Sequence, residues 1–347
     1  MKNQIQKRTV TLKDVAEKTG YSVNTVSRAL RGKDDISEAT VDRIKKAAKE
    51  MGYINNTIAS SLRLGYTNTI AVILGDISNP HFAIMTKEIE NYARQHGYSA
   101  FLLNTNEDSE NELRAIKNAI NKNVDGIIIC PVQENEDNTR FLIESGVPFI
   151  QIGRKSTLPE VNYVICDDVM GGYQATDYLL KMGHQKILFL NAPSYISSAR
   201  ERQEGYCKAY KEHGLEYDPN MIREISVADS NVSAVMEQVC EEKLDFTAIF
   251  GFSDSVAWEA WTWLHKCGKR VPEDYSLIGF DHIQSKMAIP FQLTTIGSYK
   301  TKMSVMAVEC LIQKMRPDKN MKEEGVKIDH QVIETIFIEG ETVKTIK

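Results

Sequence analysis

Several features that mark particular classes of protein are missing from this sequence. Its six cysteines are scattered over 347 residues without a C-x-x-C pair, which argues against a disulfide scaffold or a zinc site. The longest apolar runs, such as IAVIL and GIIIC, have the length of β-strands and are too short to cross a bilayer. The charged segment MKNQIQKR leads into no apolar stretch, so no signal peptide is expected. These absences predict a cytoplasmic protein without membrane contact.

The charge is distributed unevenly along the chain. Residues 1–64 contain thirteen Lys and Arg against seven Asp and Glu, whereas the whole chain has a net charge of −5. The remainder therefore carries an excess of eleven negative charges. A small basic region attached to an acidic body suggests that only the basic region binds a polyanion, although a solvated basic face would give the same count.

The basic region has the pattern of a helix-turn-helix pair followed by a third helix. TLKDVAEKTG starts at a Thr11 cap and stops at Gly20, and SVNTVSRALRG starts at Ser22. Only a two-residue turn separates these helices. A third helix is expected in ISEATVDRIKKAAKEMGY, with Ser37 as its cap. NNTIASSLRLG follows and is too short to form a stable helix alone.

From residue 67 onward, apolar β-branched runs alternate with helical stretches. TIAVILG, SAFLLNT and GIIIC are typical of buried parallel strands, and the alternation restarts with YVICDD and KILFLNA. We therefore expect two parallel-sheet α/β subdomains, with a ligand cleft at the carboxyl ends of the strands. HQVIETIFIEGE is the last strand-like segment.

The second short helix carries side chains suited to reading DNA bases. In a helix-turn-helix the second helix lies in the major groove. Asn24 and Arg28 are one turn apart, and these side chains can grip adenine and guanine, respectively, with two hydrogen bonds. Val23 can contact a thymine methyl, while the hydroxyls of Thr25 and Ser27 suit phosphate oxygens. A solvated helix face is the competing interpretation for Asn24 and Arg28.

Nearly the whole chain resembles the lactose-repressor (LacI/GalR) family. The likeness is carried by VTLKDVAEKTGYSVNTVSRALRGKDDISEATVDRIKKAAKEMGYINN and continues through IAVILGDISNPHFA, LKMGHQKILFL, RERQEGY, LIGFDH and LTTI. The resemblance implies a homodimeric transcription regulator, more often a repressor than an activator. It would bind double-stranded operator DNA of near-palindromic sequence and respond to a sugar-like effector in a periplasmic-binding-protein-like domain.

The resemblance also implies which residues contact DNA. Leu62 matches the position whose side chain wedges into the minor groove in the family, although packing within a linker is the alternative. Asn55 stands where many relatives have proline. We expect the hinge segment to be helical only on operator DNA. The predicted DNA contacts are Thr11, Ser22, Val23, Asn24, Thr25, Ser27, Arg28, Asn56, Ala59 and Leu62.

For the effector, the resemblance implies contacts from both subdomains. Arg202 and Asp281 match the guanidinium and the carboxylate that bind effector hydroxyls, with a structural ion pair as the alternative. His81 and Phe82 fall on the lip of the cleft, where Phe82 could equally be part of the core. Ser253 stands where relatives often have asparagine.

Other positions near the cleft depart from the family or have more than one interpretation. Gly153 stands where relatives often have aspartate, which leaves the ligand open. Asp254 is expected to cap the following helix. Trp258, Trp261 and Trp263 are interpreted as core or dimer contacts.

These features predict three parts of the chain. Residues 1–56 form the DNA-binding domain, 57–66 the hinge, and 67–347 the domain for effector binding and dimerisation. Within the last part, we expect one subdomain from 67–162 with 294–325 and another from 163–293 with 326–347.

Three other functions stay open at this point. An enzyme would show turnover of sugars, but the chain lacks G-x-x-x-x-G-K-[ST], H-E-x-x-H and G-x-S-x-G, and no catalytic residue, metal or cofactor is predicted. A transport binding protein should carry an export signal and no basic amino-terminal region. A regulator controlled by a partner protein rather than a metabolite would share the whole pattern.

Overall fold

The computed structural model describes residues 10–31, 35–54, 66–286, 291–315 and 329–346. The chain divides into two compact units, Met1–Thr67 and Asn68–Lys347. The predicted hinge at 57–66 falls almost entirely outside the described residues, and so do Asn56, Ala59 and Leu62.

Three helices form the described part of the first unit: α1 (Leu12–Thr19), α2 (Val23–Leu30) and α3 (Glu38–Glu50). The Thr11 side chain accepts a hydrogen bond from the backbone of Asp14, whose carboxylate accepts one from the Thr11 backbone, and α1 ends at Gly20 with a φ of 74°. Glycine adopts this left-handed conformation without steric cost. Ser37 precedes α3 but makes no capping hydrogen bond from its side chain to the helix backbone. Val15, Val26, Ala29 and Ile44 are among the residues of the small core.

The second unit alternates strands and helices as the sequence predicts. Its helices are α4 (Pro80–Gln95), α5 (Ser109–Asn121), α6 (Asp137–Ser145), α7 (Asp168–Lys181), α8 (Ser197–Glu212), α9 (Val232–Glu241), α10 (Asp254–Lys266) and α11 (Lys300–Met315). Its strands are β1 (Thr69–Leu74), β2 (Ser99–Asn104), β3 (Gly126–Ile129), β4 (Phe149–Ile152), β5 (Tyr163–Cys166), β6 (Ile187–Asn191), β7 (Ile222–Glu224), β8 (Ala248–Gly251), β9 (Ser276–Asp281), β10 (Thr294–Ser298), β11 (His330–Ile333) and β12 (Thr335–Ile338).

The strands form two six-stranded sheets. The first has the order β11-β5-β4-β3-β1-β2, with every neighbouring pair parallel. The second has the order β12-β10-β9-β8-β6-β7 and is parallel except at β12, which runs antiparallel to β10. Central strands such as β6 and β8 are buried along their whole length, which explains their uninterrupted apolar sequences.

The subdomain boundaries expected from the sequence need correction at three places. Strand β5 pairs with β4 and therefore belongs to the first sheet, although YVIC was expected to open the second series. Strand β10 pairs with β9 in the second sheet rather than lying in the first subdomain. The segment HQVIETIFIEGE contains two strands: β11 joins the first sheet and β12 the second, with Glu334 between them. Strand pairing depends on partners distant in sequence, which a local apolar pattern does not reveal.

Candidate functional site

Helix α2 of the first unit presents a polar face. Ser22 accepts a hydrogen bond from the backbone N–H of Thr25 at 3.1 Å, which fixes the start of the helix. Val26 and Ala29 are buried in the core of this unit. The helical period then leaves Val23, Asn24 and Arg28 exposed, and a Val side chain 44% exposed at a helix start is available for contact with another molecule.

Arg28 has an intramolecular partner in this structure. One of its terminal nitrogens forms an ion pair with a carboxylate oxygen of Asp35, and both side chains are about half exposed. The sequence did not predict this pairing. An exposed ion pair of this kind contributes little to stability, so the guanidinium can exchange Asp35 for another acceptor at small cost.

The hydroxyls predicted to contact phosphate also have partners within the helix. The hydroxyls of Ser22 and Thr25 lie 2.8 Å apart, and the Ser27 hydroxyl accepts a hydrogen bond from Arg31 at 3.0 Å. Each hydroxyl keeps further hydrogen-bonding capacity, because a hydroxyl can donate once and accept twice. Thr11 is exposed and serves in the capping box of α1.

A cleft of about 350 Å³ lies between the two sheets of the second unit. Its walls come from the carboxyl ends of β1, β3, β4, β8 and β9 and from the first turns of α4, α8 and α10, as expected for this type of fold. All five predicted effector residues line it: His81, Phe82, Arg202, Ser253 and Asp281.

Close packing of two helices seats Arg202. Helices α7 and α8 approach at Gly172 and Gly205, where a Cβ atom on either glycine would collide with the backbone of the other helix. This approach brings Nε of Arg202 to 2.8 Å from a carboxylate oxygen of Asp168 at the start of α7. Gly205, the glycine of RERQEGY, is therefore required for this close approach, which positions Arg202.

The Arg202 guanidinium is enclosed on every side. It donates to the backbone carbonyl of Phe252, and a terminal nitrogen lies 3.9 Å from Asp281. Its Cζ atom lies 3.5 Å from the ring centroid of Phe280 and 4.4 Å from that of Phe252. Aromatic faces hold a cation favourably, so the guanidinium is fixed in position while 5% of the residue stays exposed.

Asp281 joins charged groups from both subdomains. Its carboxylate lies 3.2 Å from Nδ1 of His81, a distance at which the two groups form an ion pair when His81 is protonated. Lys300 donates to the backbone carbonyl of Asp281. Burial opposes ionisation of the carboxyl, but His81, Arg202 and Lys300 outweigh it and hold its pKa well below the usual value. Asp281 therefore stays a hydrogen-bond acceptor in the cleft.

Two neighbouring carboxyl groups behave differently. Burial raises the pKa of Asp168 to about 6, against the opposing charge of Arg202. Burial, followed by the charge of Asp281, raises the pKa of Asp254 to about 7. Asp254 accepts hydrogen bonds from Thr295 and from the backbone of Ile283. The expectation that Asp254 caps α10 is wrong, because its side chain is drawn into these buried contacts.

Ser253 and Phe82 each have a structural role as well. Ser253 is the residue that caps α10, with its Oγ accepting from the backbone N–H of Val256 at 3.3 Å. Phe82 is 8% exposed and belongs to the large apolar core while one part of it lines the cleft. Phe82 is therefore part of the core, and its contact with an effector stays a prediction.

The sequence did not predict a second buried ion pair in the cleft. Arg154 donates to both carboxylate oxygens of Glu107, at 2.7 and 3.0 Å, and to the carbonyl of Pro131 at 3.0 Å. Glu107 has a φ of 55°, a strained conformation for a residue other than glycine. Its carboxylate fills the space that a Cβ at Gly75 would occupy. The sequence signals for this pair were a glycine directly after each of two strands, Gly75 after β1 and Gly153 after β4, and the arginine that follows Gly153.

Side-chain and backbone contacts join the two subdomains across one side of the cleft. The amide of Gln133 donates to the Lys155 carbonyl at 2.6 Å and accepts from the Ser197 backbone at 3.0 Å. The Lys155 ammonium forms an ion pair with Glu201 at 2.6 Å. Together with the His81–Asp281 contact, these interactions link the two subdomains across the cleft.

Within the described ranges, no group of three or more His, Cys, Asp or Glu side chains could hold a metal ion. The same ranges contain no helix that is both long and apolar enough to cross a bilayer.

The chain thus combines a three-helix unit with a second unit in which two sheets border a cleft. Residues 11–56 match bacterial regulatory proteins of the lacI family, and residues 67–336 match the periplasmic binding proteins and sugar binding domain of the LacI family. The chain belongs to the LacI family of transcriptional regulators.

Relatives and solved structures agree with this assignment over almost the entire length. The HTH-type transcriptional repressor PurR of Aliivibrio salmonicida is 30% identical over 324 residues, which cover 93% of this chain and 97% of that protein. The repressor CytR of Escherichia coli K12 is 30% identical over 320 residues, covering 91% and 93%. A lac repressor dimer bound to operator and the anti-inducer ONPF shares the fold, with a TM-score of 0.83 at 23% identity over 97% of this chain and all of that one.

Solved relatives also include ligand complexes. The regulator CelR bound to cellobiose is 26% identical with a TM-score of 0.70 and covers 96% of this chain and 99% of its own. A regulator from Alkaliphilus metalliredigens bound to D-xylulofuranose is 28% identical with a TM-score of 0.66, covering 81% of this chain and all of that chain.

Proposed function

We propose that this chain represses transcription as a homodimer that binds a near-palindromic operator, and that a small sugar-like effector in the cleft controls its affinity for DNA. The observation that carries the DNA-binding part is the exposure of Val23, Asn24 and Arg28 on one face of α2. Arg28 reads guanine and Asn24 reads adenine, while Val23 contacts a thymine methyl. The relatives PurR and CytR are repressors, which supports the same sign of regulation here.

Two features support the homodimer: the two-fold symmetry expected of the operator and a cluster of aromatic side chains on and near α10. Trp258 and Trp261 of α10 are half-buried, and the Phe291 ring lies 4.8 Å and 5.3 Å from them, respectively. A cluster of large, partly exposed rings is typical of protein interfaces. Two copies related by a two-fold axis present two copies of α2, which matches an operator with two half-sites.

The effector part of the proposal is supported by the chemistry of the cleft. Arg202 is a fixed donor, Asp281 is an ionised acceptor, and the Phe82 and Phe252 rings provide apolar surface. This combination suits a molecule with several hydroxyls on an apolar ring. The effector acts by binding one arrangement of the subdomains more tightly, which shifts the population with affinity for DNA.

The test is a selection of DNA duplexes from a random library by the full chain, followed by measurement of operator affinity with a panel of sugars. We expect a two-fold symmetric site and a change in affinity with at least one compound. A chain that enriches no duplex would overturn the proposal. An enriched operator whose affinity changes with a partner protein but with no small molecule would replace the effector part alone.

A further inference from the structure

The cleft carries an excess of negative charge. Four carboxylates line it, from Asp76, Glu107, Glu259 and Asp281, whereas the lining contains only two guanidinium groups, from Arg154 and Arg202. His81 adds a positive charge only when protonated. Coulomb energies grow as the dielectric falls, so an anion entering this partly buried space meets net repulsion.

Both guanidinium groups are already neutralised by the protein. Glu107 binds Arg154 through two hydrogen bonds, and the two side chains are 4% and 7% exposed, respectively. Asp168 binds Arg202 at 2.8 Å, with Asp281 at 3.9 Å from another of its nitrogens. An anionic ligand would have to displace a buried carboxylate to gain the full charge of either arginine, and such displacement is costly.

The helix starts that face the cleft also make hydrogen bonds within the protein. Backbone N–H groups at a helix start attract anions when they are free. In α4 the His81 N–H donates to Asn79, and in α10 the Val256 N–H donates to Ser253. In α8 the Ser197 N–H donates to Gln133. The protein therefore itself uses one backbone donor at the start of each of these helices.

We propose that the cleft selects an uncharged, polyhydroxylated effector and that Glu107 is the specificity-determining residue that excludes phosphorylated and carboxylated molecules by neutralising Arg154. This inference rests on the proposed effector function. The strained backbone of Glu107 and the glycine at position 75 support it, because both are needed to bring this carboxylate onto Arg154. The remaining donors and acceptors of the cleft then recognise hydroxyl groups.

The test dialyses the full chain against a mixture of sugars, nucleosides, their phosphates and the corresponding sugar acids, and identifies retained compounds by mass spectrometry. Matched pairs such as ribose and ribose 5-phosphate, or glucose and glucose 6-phosphate, are then titrated separately. We expect the neutral member of any retained pair to bind at least about tenfold more tightly. Retention of the charged member in preference would overturn the inference while leaving the proposed effector function intact. Retention of no compound would contradict both.

Variants identify the residue responsible. Glu107→Gln leaves the charge of Arg154 uncompensated and should improve binding of the phosphate relative to its neutral partner by about tenfold. Glu107→Gln combined with Arg154→Gln restores neutrality and should return the preference to that of the unmodified chain. Glu110→Gln makes the same charge change on the exposed face of α5, outside the cleft lining, and is the matched control.

An unchanged preference in Glu107→Gln, or an equal change in Glu110→Gln, would remove Glu107 from this role. If Glu107→Gln does not fold because Arg154 is buried without a partner, the double variant and the matched pairs on the unmodified chain still decide the matter. A double variant that prefers the phosphate would contradict the inference.

Discussion

On α2 of the first unit, Val23 and Asn24 face solvent, whereas in the cleft of the second unit Arg202 and Asp281 are 5% and 7% exposed. The exposed residues of α2 follow from one helical period, and the ion-pair partner of Arg28, Asp35, lies seven positions away in sequence. Those of the cleft are held by partners 34 to 79 positions away in sequence, as between Arg202 and its partners Asp168 and Asp281. A substitution on α2 should therefore change recognition alone, while one in the cleft should also change stability.

The largest expected effect is that of Arg202→Ala. The substitution leaves the carboxylates of Asp168 and Asp281 buried without their common partner, so we expect the free energy of unfolding to fall by about 3–5 kcal/mol. Urea denaturation followed by circular dichroism measures it. Lys211→Ala, an exposed change on the same helix, is the control. Equal losses for the two variants would show that the buried network contributes nothing. Effector response should be lost in any Arg202→Ala protein that stays folded.

Arg28→Ala tests the opposite side of the comparison. Operator affinity should fall by about 1–3 kcal/mol, with relaxed preference at one base pair in each half-site and unchanged stability. Fluorescence anisotropy with the selected operator and with single-base variants measures both. Lys45→Ala removes a positive charge from the exposed part of α3 and should weaken operator and random DNA equally. The same uniform loss for Arg28→Ala would mean that Arg28 contacts only phosphate.

Asp254→Asn tests how the stability of the buried second unit depends on pH. Because the folded-state pKa of Asp254 is about 7, the native protein binds this proton up to a higher pH than the unfolded chain does. The contribution of the group to stability is therefore present at acidic pH and is lost as pH rises toward 7. Asparagine does not titrate, so the stability of the variant relative to the unmodified chain should rise by more than about 1 kcal/mol between pH 5 and 8. Urea denaturation at both pH values measures the difference, and a constant difference would contradict the assignment.

The smallest expected effect comes from Asp35→Asn. Removing the partner of Arg28 frees the guanidinium and should strengthen operator binding by less than about 1 kcal/mol, because the ion pair is exposed. Anisotropy at low salt measures it. Asp42→Asn removes the same charge from an exposed position of α3. If both variants bind more tightly by the same amount, the effect is one of general charge and not of the Arg28–Asp35 pair.

Most of the described part of the first unit could be predicted from the sequence, although the predicted Ser37 cap forms no side-chain hydrogen bond to the backbone of α3. Its helices, the Thr11 cap and the Gly20 stop follow from rules that act over four residues, and the structure confirms them. The alternation of strands and helices in the second unit was also predicted, but strands β4 and β7 were not among the predicted segments. The Arg28–Asp35 pair was missed because Asp35 lies outside α2, so the helical period that places Arg28 does not place its partner.

The second unit shows where local rules stop being sufficient. Nothing in YVIC distinguishes a strand of the first sheet from one of the second, since both sheets bury apolar strands. The Glu107–Arg154 pair joins positions 47 residues apart, and it depends on backbone conformations that no composition reveals. The positions of Arg202 and Asp281 in one cleft were predicted by family resemblance, but the number of partners that each has was not.

The split of residues 330–338 between two sheets has a consequence for the making of the chain. Strand β5 is bordered by β4 on one side and by β11 on the other. Strand β11 begins at His330, 164 positions after β5 ends at Cys166. Until that late segment emerges from the ribosome, one edge of the first sheet is exposed and can pair wrongly with other extended chains. Chaperones that shield strand edges would therefore matter most between the synthesis of β5 and that of β11.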